Sequence, residues 1–392
     1  MCVACYRCAI ASENPFRYGG IARGLYFANR EDELRFLKEN VRSGQNVVVV
    51  SPRRYGKTSL VHRAISQLRS EGVLVAYLDL FRTPTKEQLA DDLAQAIYDG
   101  LVSRLERATR KAAAFFSHLA VSPRLVIGDD GRVSVEFAAL LRRQDVDDVI
   151  EGLLELPGLI ARERDRRVAL VLDEFQEIVS IDKGLTGVMR SVFQEQDEVA
   201  HVFLGSRRHL MEMLFMDKSE HLYRAAKPLP LGPIDLAKFA RFVRRRFEGS
   251  GVPVAREAVE RILTLTGGRP YETQELCSFA WEQARAEGTM ATLAVVERAL
   301  DRLLEAEAAR YAAVWDGLSP HQRAVLRAVA QEGKGIYSEA YRLRHKLGSA
   351  SSVTRSIDAL AAKELVEGTS GDRVVADVFL GQWLRRTGSE RL

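Results

Sequence analysis

Four consecutive valines, Val47–Val50, run directly into Ser51-Pro52-Arg53-Arg54-Tyr55-Gly56-Lys57-Thr58. A continuous β-branched run has no polar face, so it belongs to a strand buried on both sides, as in a parallel sheet. A helical pattern runs from residue 57 to about residue 70, and residues 73–80 read as a second buried strand. Strand, helix and strand in about 35 residues make a βαβ unit. A turn that leaves a buried strand, carries Gly-Lys-Thr and opens a helix is a P-loop.

The chemistry of such a turn is anion binding. Its backbone N–H groups point at phosphate oxygens, and the helix start adds the positive end of its dipole. The expected cradle comprises Ser51, Pro52, Arg53, Arg54, Tyr55, Gly56, Lys57, Thr58 and Ser59. Gly56 permits close backbone approach, Lys57 reaches the β- and γ-phosphates, and Thr58 places its hydroxyl on magnesium. Ser51 stands where the general pattern has its first glycine. The reading therefore rests on the strand–turn–helix setting. The expected ligand is a nucleoside triphosphate, ATP, with magnesium.

Two further buried strands end in polar residues. Residues 168–172 deliver Asp173 and Glu174 at a carboxyl end, beside the expected phosphate site. Asp173 is expected to hold magnesium through water, and Glu174 to orient or deprotonate the attacking water. Residues 201–205 lead to Ser206 and Arg207. Ser206 is placed to sense the γ-phosphate and Arg207 to stabilise its developing charge. Gly267-Gly268-Arg269-Pro270 turns between two helices, and spacing leaves open whether Arg269 or Pro270 approaches the nucleotide.

Elsewhere, Asn29 is placed to cap a helix reaching Val41 and ended by Gly44. Residues 85–118 and 144–164 read as helices. Asp129-Asp130-Gly131 between β-prone runs predicts a hairpin over 124–137. The stretch from Pro228 to Pro233 reads as a domain boundary. Residues 235–314 are helical, broken at 249–253 and 267–270. Ser319 and Pro320 start another helix, as cap and first helical position. Short helices near 338–346 and 351–362 and β-prone pieces at 364–367 and 373–378 complete the order of a winged helix. The expected domains are a leader (1–25), a P-loop core (26–232), a helical lid (233–314) and a winged helix (315–392).

Several of these segments carry a joint resemblance: Tyr26-Phe27-Ala28-Asn29-Arg30-Glu31-Asp32-Glu33-Leu34, the loop itself, Asp173-Glu174-Phe175-Gln176, Gly205-Ser206-Arg207, the Gly-Gly-Arg-Pro turn, and Asp377-Val378-Phe379 with Trp383-Leu384-Arg385. Together they resemble the archaeal-type P-loop ATPases, which are related to STAND signalling ATPases and, further off, to origin-recognition AAA+ proteins. The resemblance covers about residues 14–386. It implies an α/β parallel-sheet core of the additional-strand catalytic glutamate class, a helical lid, a winged helix, ATP and magnesium. It implies that Asp173 is the magnesium-side acid, Glu174 the water-activating acid and Arg207 the arginine after the sensor strand. It places Phe27 to Arg30 near the adenine and Pro270 at the lid turn.

Composition narrows the function class only a little. The chain has 392 residues, too many for one comfortable core. Its 57 basic and 53 acidic residues leave a net charge of +4, which does not by itself mark a nucleic-acid binder. No apolar run approaches the roughly 18 residues of a membrane span, and no secretory pattern opens the chain, so a cytoplasmic protein is expected. Cys2, Cys5 and Cys8 have a spacing that suits zinc or an iron–sulfur cluster, but no fourth ligand is evident; a loose leader is the plainer expectation. Arg342, Arg344, His345, Lys346 and Arg355, with the polar run from Ser349 to Thr354, suit DNA contact. Glu332, Glu339, Asp358, Glu364, Glu367 and Asp372 offset that charge.

Three functions fit. The leading one is an ATP-hydrolysing switch coupled to a winged-helix effector; the others are a DNA-loading ATPase and a nucleotide-gated interaction module without turnover. A metabolic kinase is disfavoured, since no acceptor-binding motif is present. The expected partners are ATP or ADP, DNA through the winged helix, and a second copy or a partner protein; no membrane is expected.

Overall fold

The computed structural model describes residues 13–102, 124–127, 133–136, 146–368 and 371–389. They fall into two compact units, Ile21–Pro233 and the pair of segments Met1–Gly20 and Ile234–Leu392.

The first unit opens with helix α1 (Glu31–Arg42), strand β1 (Val47–Val50), helix α2 (Lys57–Ser70), strand β2 (Leu74–Asp79) and helix α3 (Lys86–Leu101). Strands β3 (Arg124–Ile127) and β4 (Val133–Glu136) pair antiparallel with Ile127 opposite Val133. The Asp129-Asp130-Gly131 turn and residues 103–118 of the longer helix read from the sequence lie outside the described residues. Next come α4 (Val146–Arg164), β5 (Val168–Asp173), α5 (Ile178–Asp182), α6 (Leu185–Gln194), β6 (Val199–Gly205), α7 (Arg208–Met216) and β7 (Lys227–Pro230).

Five strands form one sheet in the order β2-β5-β6-β1-β7, and every neighbouring pair is parallel. Strand β6 lies between the P-loop strand and the Asp173 strand, which is the additional strand of the expected class. The valine run works as its composition requires. Val47 and Val49 pack with Leu37 and Val41 of α1 and Leu60 and Val61 of α2. Val48 joins the opposite layer with residues of α3 and α4. Helices cover both faces of β1, which suits its four apolar side chains.

One local expectation is corrected, and one stretch holds more than was expected. Asn29 does not cap α1. The cap position is Arg30, and no side chain accepts from the first turn. Asn29 precedes the cap and is itself left-handed (φ 35°). Glu31, Asp32 and Glu33 supply the negative charge at that helix start instead. The proline stretch read as a boundary ends where the two units divide, at Pro233, and also contains most of the edge strand β7. Lys227 N donates to Asn46 O and Leu231 N to Val50 O. That alternation turns Pro228 and Pro230, which have no N–H, away from the sheet, the one side on which a strand tolerates proline.

The second unit contains α8 (Leu236–Gly249), α9 (Arg256–Thr266), α10 (Pro270–Glu287), α11 (Leu293–Ala306) and α12 (Ala308–Asp316). It continues with α13 (Pro320–Gln331), α14 (Glu339–Arg344), α15 (Ala350–Ala362), the antiparallel pair β8 (Val366–Glu367) and β9 (Val374–Val375), and α16 (Val378–Ser389). Ser319 and Gln322 form a full capping box at α13, with Pro320 at the first position. Helix α16 is absent from the sequence reading, which ran a β-prone piece to residue 378. Asp377 starts it, its Oδ1 accepting from the amides of Phe379 (2.9 Å) and Leu380 (3.1 Å). Of the segment read as a leader, residues 13–20 belong to this unit and residues 21–25 to the first. Phe16 is buried against Phe247, and Asn14 Nδ2 donates to Ser278 Oγ at 2.8 Å and Glu282 Oε1 at 3.0 Å.

The first unit's core around β6 gives a stability prediction. Phe203 is fully buried among the rings of Phe175, Phe193 and Phe215. Phe203→Ala is expected to destabilise this unit by about 3–5 kcal/mol, read as a lower urea midpoint.

Candidate functional site

The carboxyl ends of β1, β5 and β6 bring four polar side chains together. Lys57, at the first position of α2, lies 2.8 Å from Asp173 Oδ1 and 2.9 Å from Glu174 Oε1. Gly56 precedes it in a left-handed conformation (φ 85°), the cap from which α2 starts. Asp173 is buried, and its other oxygen accepts from Tyr77 Oη at 2.7 Å. Glu174 Oε2 accepts from Ser206 Oγ at 2.7 Å and from Gln176 Nε2 at 2.6 Å. Both carboxyl oxygens of Glu174 are thus held, one by a cation and one by two neutral donors.

The backbone contributes as well. Glu174 is left-handed (φ 49°), and its amide donates to Asp173 Oδ1 at 2.8 Å. Gly205 is required by crowding: a Cβ there would fall 2.2 Å from Met211 Cγ and 2.9 Å from Gln176 Oε1. A side chain at residue 205 would displace the glutamine that holds Glu174.

Electrostatics follow from these contacts. Burial pushes the Glu174 carboxyl up, but Lys57 and the hydrogen bonds from Gln176 and Ser206 outweigh it and hold the group below the ordinary carboxylate range. Burial, followed by the charge of Asp173, pushes the Tyr77 phenol far up, so it stays a donor.

The other expected site residues are placed as follows. Ser51 is buried, with its hydroxyl donating to Pro52 O at 3.0 Å. Arg53 and Arg54 are exposed, and Tyr55 is buried. Thr58 is half-buried, directly after Lys57. Ser59 Oγ accepts from Ala22 N at 2.9 Å. Phe27 lies under the Arg63 guanidinium at 4.7 Å. Arg30 is buried and donates to Tyr55 O at 2.8 Å, Gly232 O at 2.7 Å and Glu33 at 2.8 Å. Arg207 is partly exposed and lies 3.5 Å from Glu177 rather than against Glu174. Pro270 takes the first position of α10, in the second unit. Tyr77 and Gln176 were missed as site residues. Their one sequence signal is position: Tyr77 on the strand beside β5, and Gln176 two residues past Glu174.

The turn before α10 points its arginine at the winged helix. Arg269 is buried, donates to Ala376 O and pairs with Glu367 of β8. Much of the winged-helix basic charge is also committed. Arg342 donates to Tyr337 O and Gly348 O, and Arg344 pairs with Glu332. Lys346, Ser351, Thr354 and Arg355 are exposed. Cys2, Cys5 and Cys8 lie outside the described residues, and Cys277 is buried within α10. Among the described residues, no group of three or more His, Cys, Asp or Glu could hold a metal, and no helix is long and apolar enough to cross a membrane.

Comparison with known proteins follows the same division. Residues 27–276, more than half of the chain, match the family described as an ATPase domain predominantly from Archaea. The chain belongs to that family. Residues 309–386 match a probable winged helix domain. Among solved structures, the chain is similar to the Walker-type ATPase paby2304 of Pyrococcus abyssi (TM-score 0.64, 18% identity, 95% of this chain and 99% of that one). It is also similar to the Aeropyrum pernix ORC2 protein, solved as ADPNP–ADP complexes (TM-score 0.55, 15% identity, 95% and 99%). At these identities the likeness concerns the fold. An uncharacterised WD repeat-containing protein of Synechocystis is 23% identical over 290 residues, 70% of this chain; the match spans only 22% of that protein.

The held carboxylate predicts a pH dependence. The folded-state pKa of Glu174 lies below its unfolded value, near 4.5. Its stabilising contribution is therefore fully present above that value and is lost as pH falls through the lower folded value. The urea-midpoint difference between wild type and Glu174→Gln should be present at pH 7 and shrink as the pH falls below the ordinary carboxylate range.

Proposed function

We propose that this chain is a magnesium-dependent ATPase that works as a nucleotide-driven switch, with the winged helix as its effector. One observation carries the reading: Lys57, Asp173, Glu174 and Ser206 converge at the carboxyl ends of three adjacent parallel strands. That is where open α/β sheets bind ligands. The ADPNP–ADP complexes of the ORC2 structure support nucleotide as the ligand class.

The donor set fits magnesium. The Thr58 hydroxyl and the Asp173 carboxylate are hard oxygen donors, and magnesium takes one or two carboxylates with waters and phosphates rather than an all-protein cage. When bound there, magnesium would neutralise charge on the phosphate oxygens. Lys57 takes the β- and γ-phosphates. To do so it must leave Glu174 Oε1, and that exchange frees one oxygen to orient the attacking water and receive its proton. Ser206 and Gln176 keep the other oxygen fixed throughout. Arg207, one residue past Ser206, is the candidate for charge developing on the γ-phosphate. Phe27 is the candidate adenine neighbour and Pro270 the candidate lid contact. A cytoplasmic setting accords with this chemistry.

Lys57→Ala should abolish ATP turnover. Glu174→Gln should retain nucleotide binding and lower kcat by about 10²–10⁴-fold. Equal turnover in wild type and Glu174→Gln would instead mark a nucleotide-gated module without hydrolysis. EDTA should stop wild-type turnover and excess magnesium restore it.

A second reading, DNA contact, is favoured by the exposed Lys346, Ser351, Thr354 and Arg355 around the start of α15. Duplex binding should weaken with salt, and the double change Lys346→Ala with Arg355→Ala should reduce the log–log salt slope by about 2. Arg342 and Arg344 are poor choices for this test, because both already hold groups of the winged helix.

A further inference from the structure

The chain passes between its two units at Gly20–Ile21 and at Pro233–Ile234. Next to each crossing, a residue of the first unit is joined to the P-loop or to the helix it opens, directly or through one side chain. At one, Ala22 N donates to Ser59 Oγ at 2.9 Å, one residue past Thr58. At the other, Arg30 Nη2 donates to Gly232 O at 2.7 Å and to Tyr55 O at 2.8 Å. A single nitrogen therefore joins a carbonyl of the P-loop to a carbonyl of the exit segment. Glu33 balances the charge through Nη1 at 2.8 Å.

Two features mark Arg30 as more than a structural filler. Its backbone is left-handed (φ 102°), and so is that of Asn29 (φ 35°). Asparagine adopts this region readily, but an arginine keeps it only where the surroundings impose it. The second feature is the carbonyl it holds. A trans peptide is planar, and its C=O and following N–H point in opposite directions. Fixing Tyr55 O therefore fixes the direction of the Gly56 N–H, one of the amides expected to cradle phosphate.

We propose that Arg30 is a positioning residue for the phosphate cradle and couples its occupancy to the exit segment at Gly232, with Ser59 coupling the other crossing through Ala22. This rests on the nucleotide-binding part of the function proposed above. Nucleotide in the cradle holds the Gly56 amide, which holds the Tyr55 carbonyl, the Arg30 fork and Gly232. The same event orders the start of α2, and with it Ser59 and Ala22. Both segments from which the second unit departs thus report one ligand.

The test is hydrogen–deuterium exchange on the full chain, with and without magnesium and a non-hydrolysable ATP analogue. In wild type, exchange should slow several-fold in peptides over residues 51–58, 21–23 and 231–234. Arg30→Met should weaken analogue binding by about tenfold, as loss of a charge-assisted hydrogen bond does. It should also remove the slowing at 231–234 while leaving that at 21–23. Arg30→Lys, a point charge in place of a fork, should recover affinity in part but not the slowing at 231–234. Ser59→Ala should give the reverse pattern of slowing. If Arg30→Met fails to fold, the lysine and Ser59→Ala proteins carry the test. Slowing at 51–58 without slowing at the crossings would overturn the coupling and leave nucleotide binding intact. No slowing at 51–58 would overturn both. Full coupling in Arg30→Met and Arg30→Lys would overturn the role of Arg30.

Discussion

A strand buried on both faces offers few side-chain positions for polar work, so its chemistry gathers at its ends. Strands β5 and β6 are buried along their whole length. Where they stop, Asp173, Glu174 and Ser206 appear within a few residues. Lys57 meets them from the start of α2, which begins where β1 gives out. The Lys57 ammonium between two carboxylates is the electrostatic centre of this end of the sheet. Tyr77, Ser206 and Gln176 all act on the same two acids, and the glycine at 205 leaves them room.

Two arginines do comparable jobs in the two units. Arg30 grips backbone carbonyls of the P-loop and the exit segment and is balanced by Glu33. Arg269 grips a backbone carbonyl after β9 and is balanced by Glu367. Burial of a guanidinium costs solvation, and burial lowers the Arg30 pKa accordingly. The forked donor set offsets that cost, because one side chain can satisfy several acceptors while keeping a paired charge. Each arginine sits at the N-cap position of its helix and so ties a helix start to a distant segment.

The core was legible because its signals are composition signals. The valine run, the Gly-Lys-Thr turn and the Asp-Glu pair at a strand end are each readable without knowing what lies opposite. Strand β7 was not, because Pro228 and Pro230 argue against a strand unless the direction of each missing N–H is known. Helix α16 was hidden by Val374, Val375 and Val378, which read as β-prone when the cap at Asp377 is not recognised. At the site, side-chain identity was readable but partnership was not. Arg30 read as a nucleotide neighbour and holds backbone carbonyls. Arg207 read as a partner of the phosphate site and lies near Glu177. Tyr77 and Gln176 act only through residues that three-dimensional pairing places beside them.

The two prolines of β7 have an effect beyond their own strand. An outer strand with a full row of outward N–H groups is a template on which another chain can add a strand. Here the outward positions at Pro228 and Pro230 have no hydrogen to donate. An added strand would lose two hydrogen bonds along this edge, which blunts it. Strand-to-strand association of the folded chain is therefore disfavoured at the strand next to the P-loop strand.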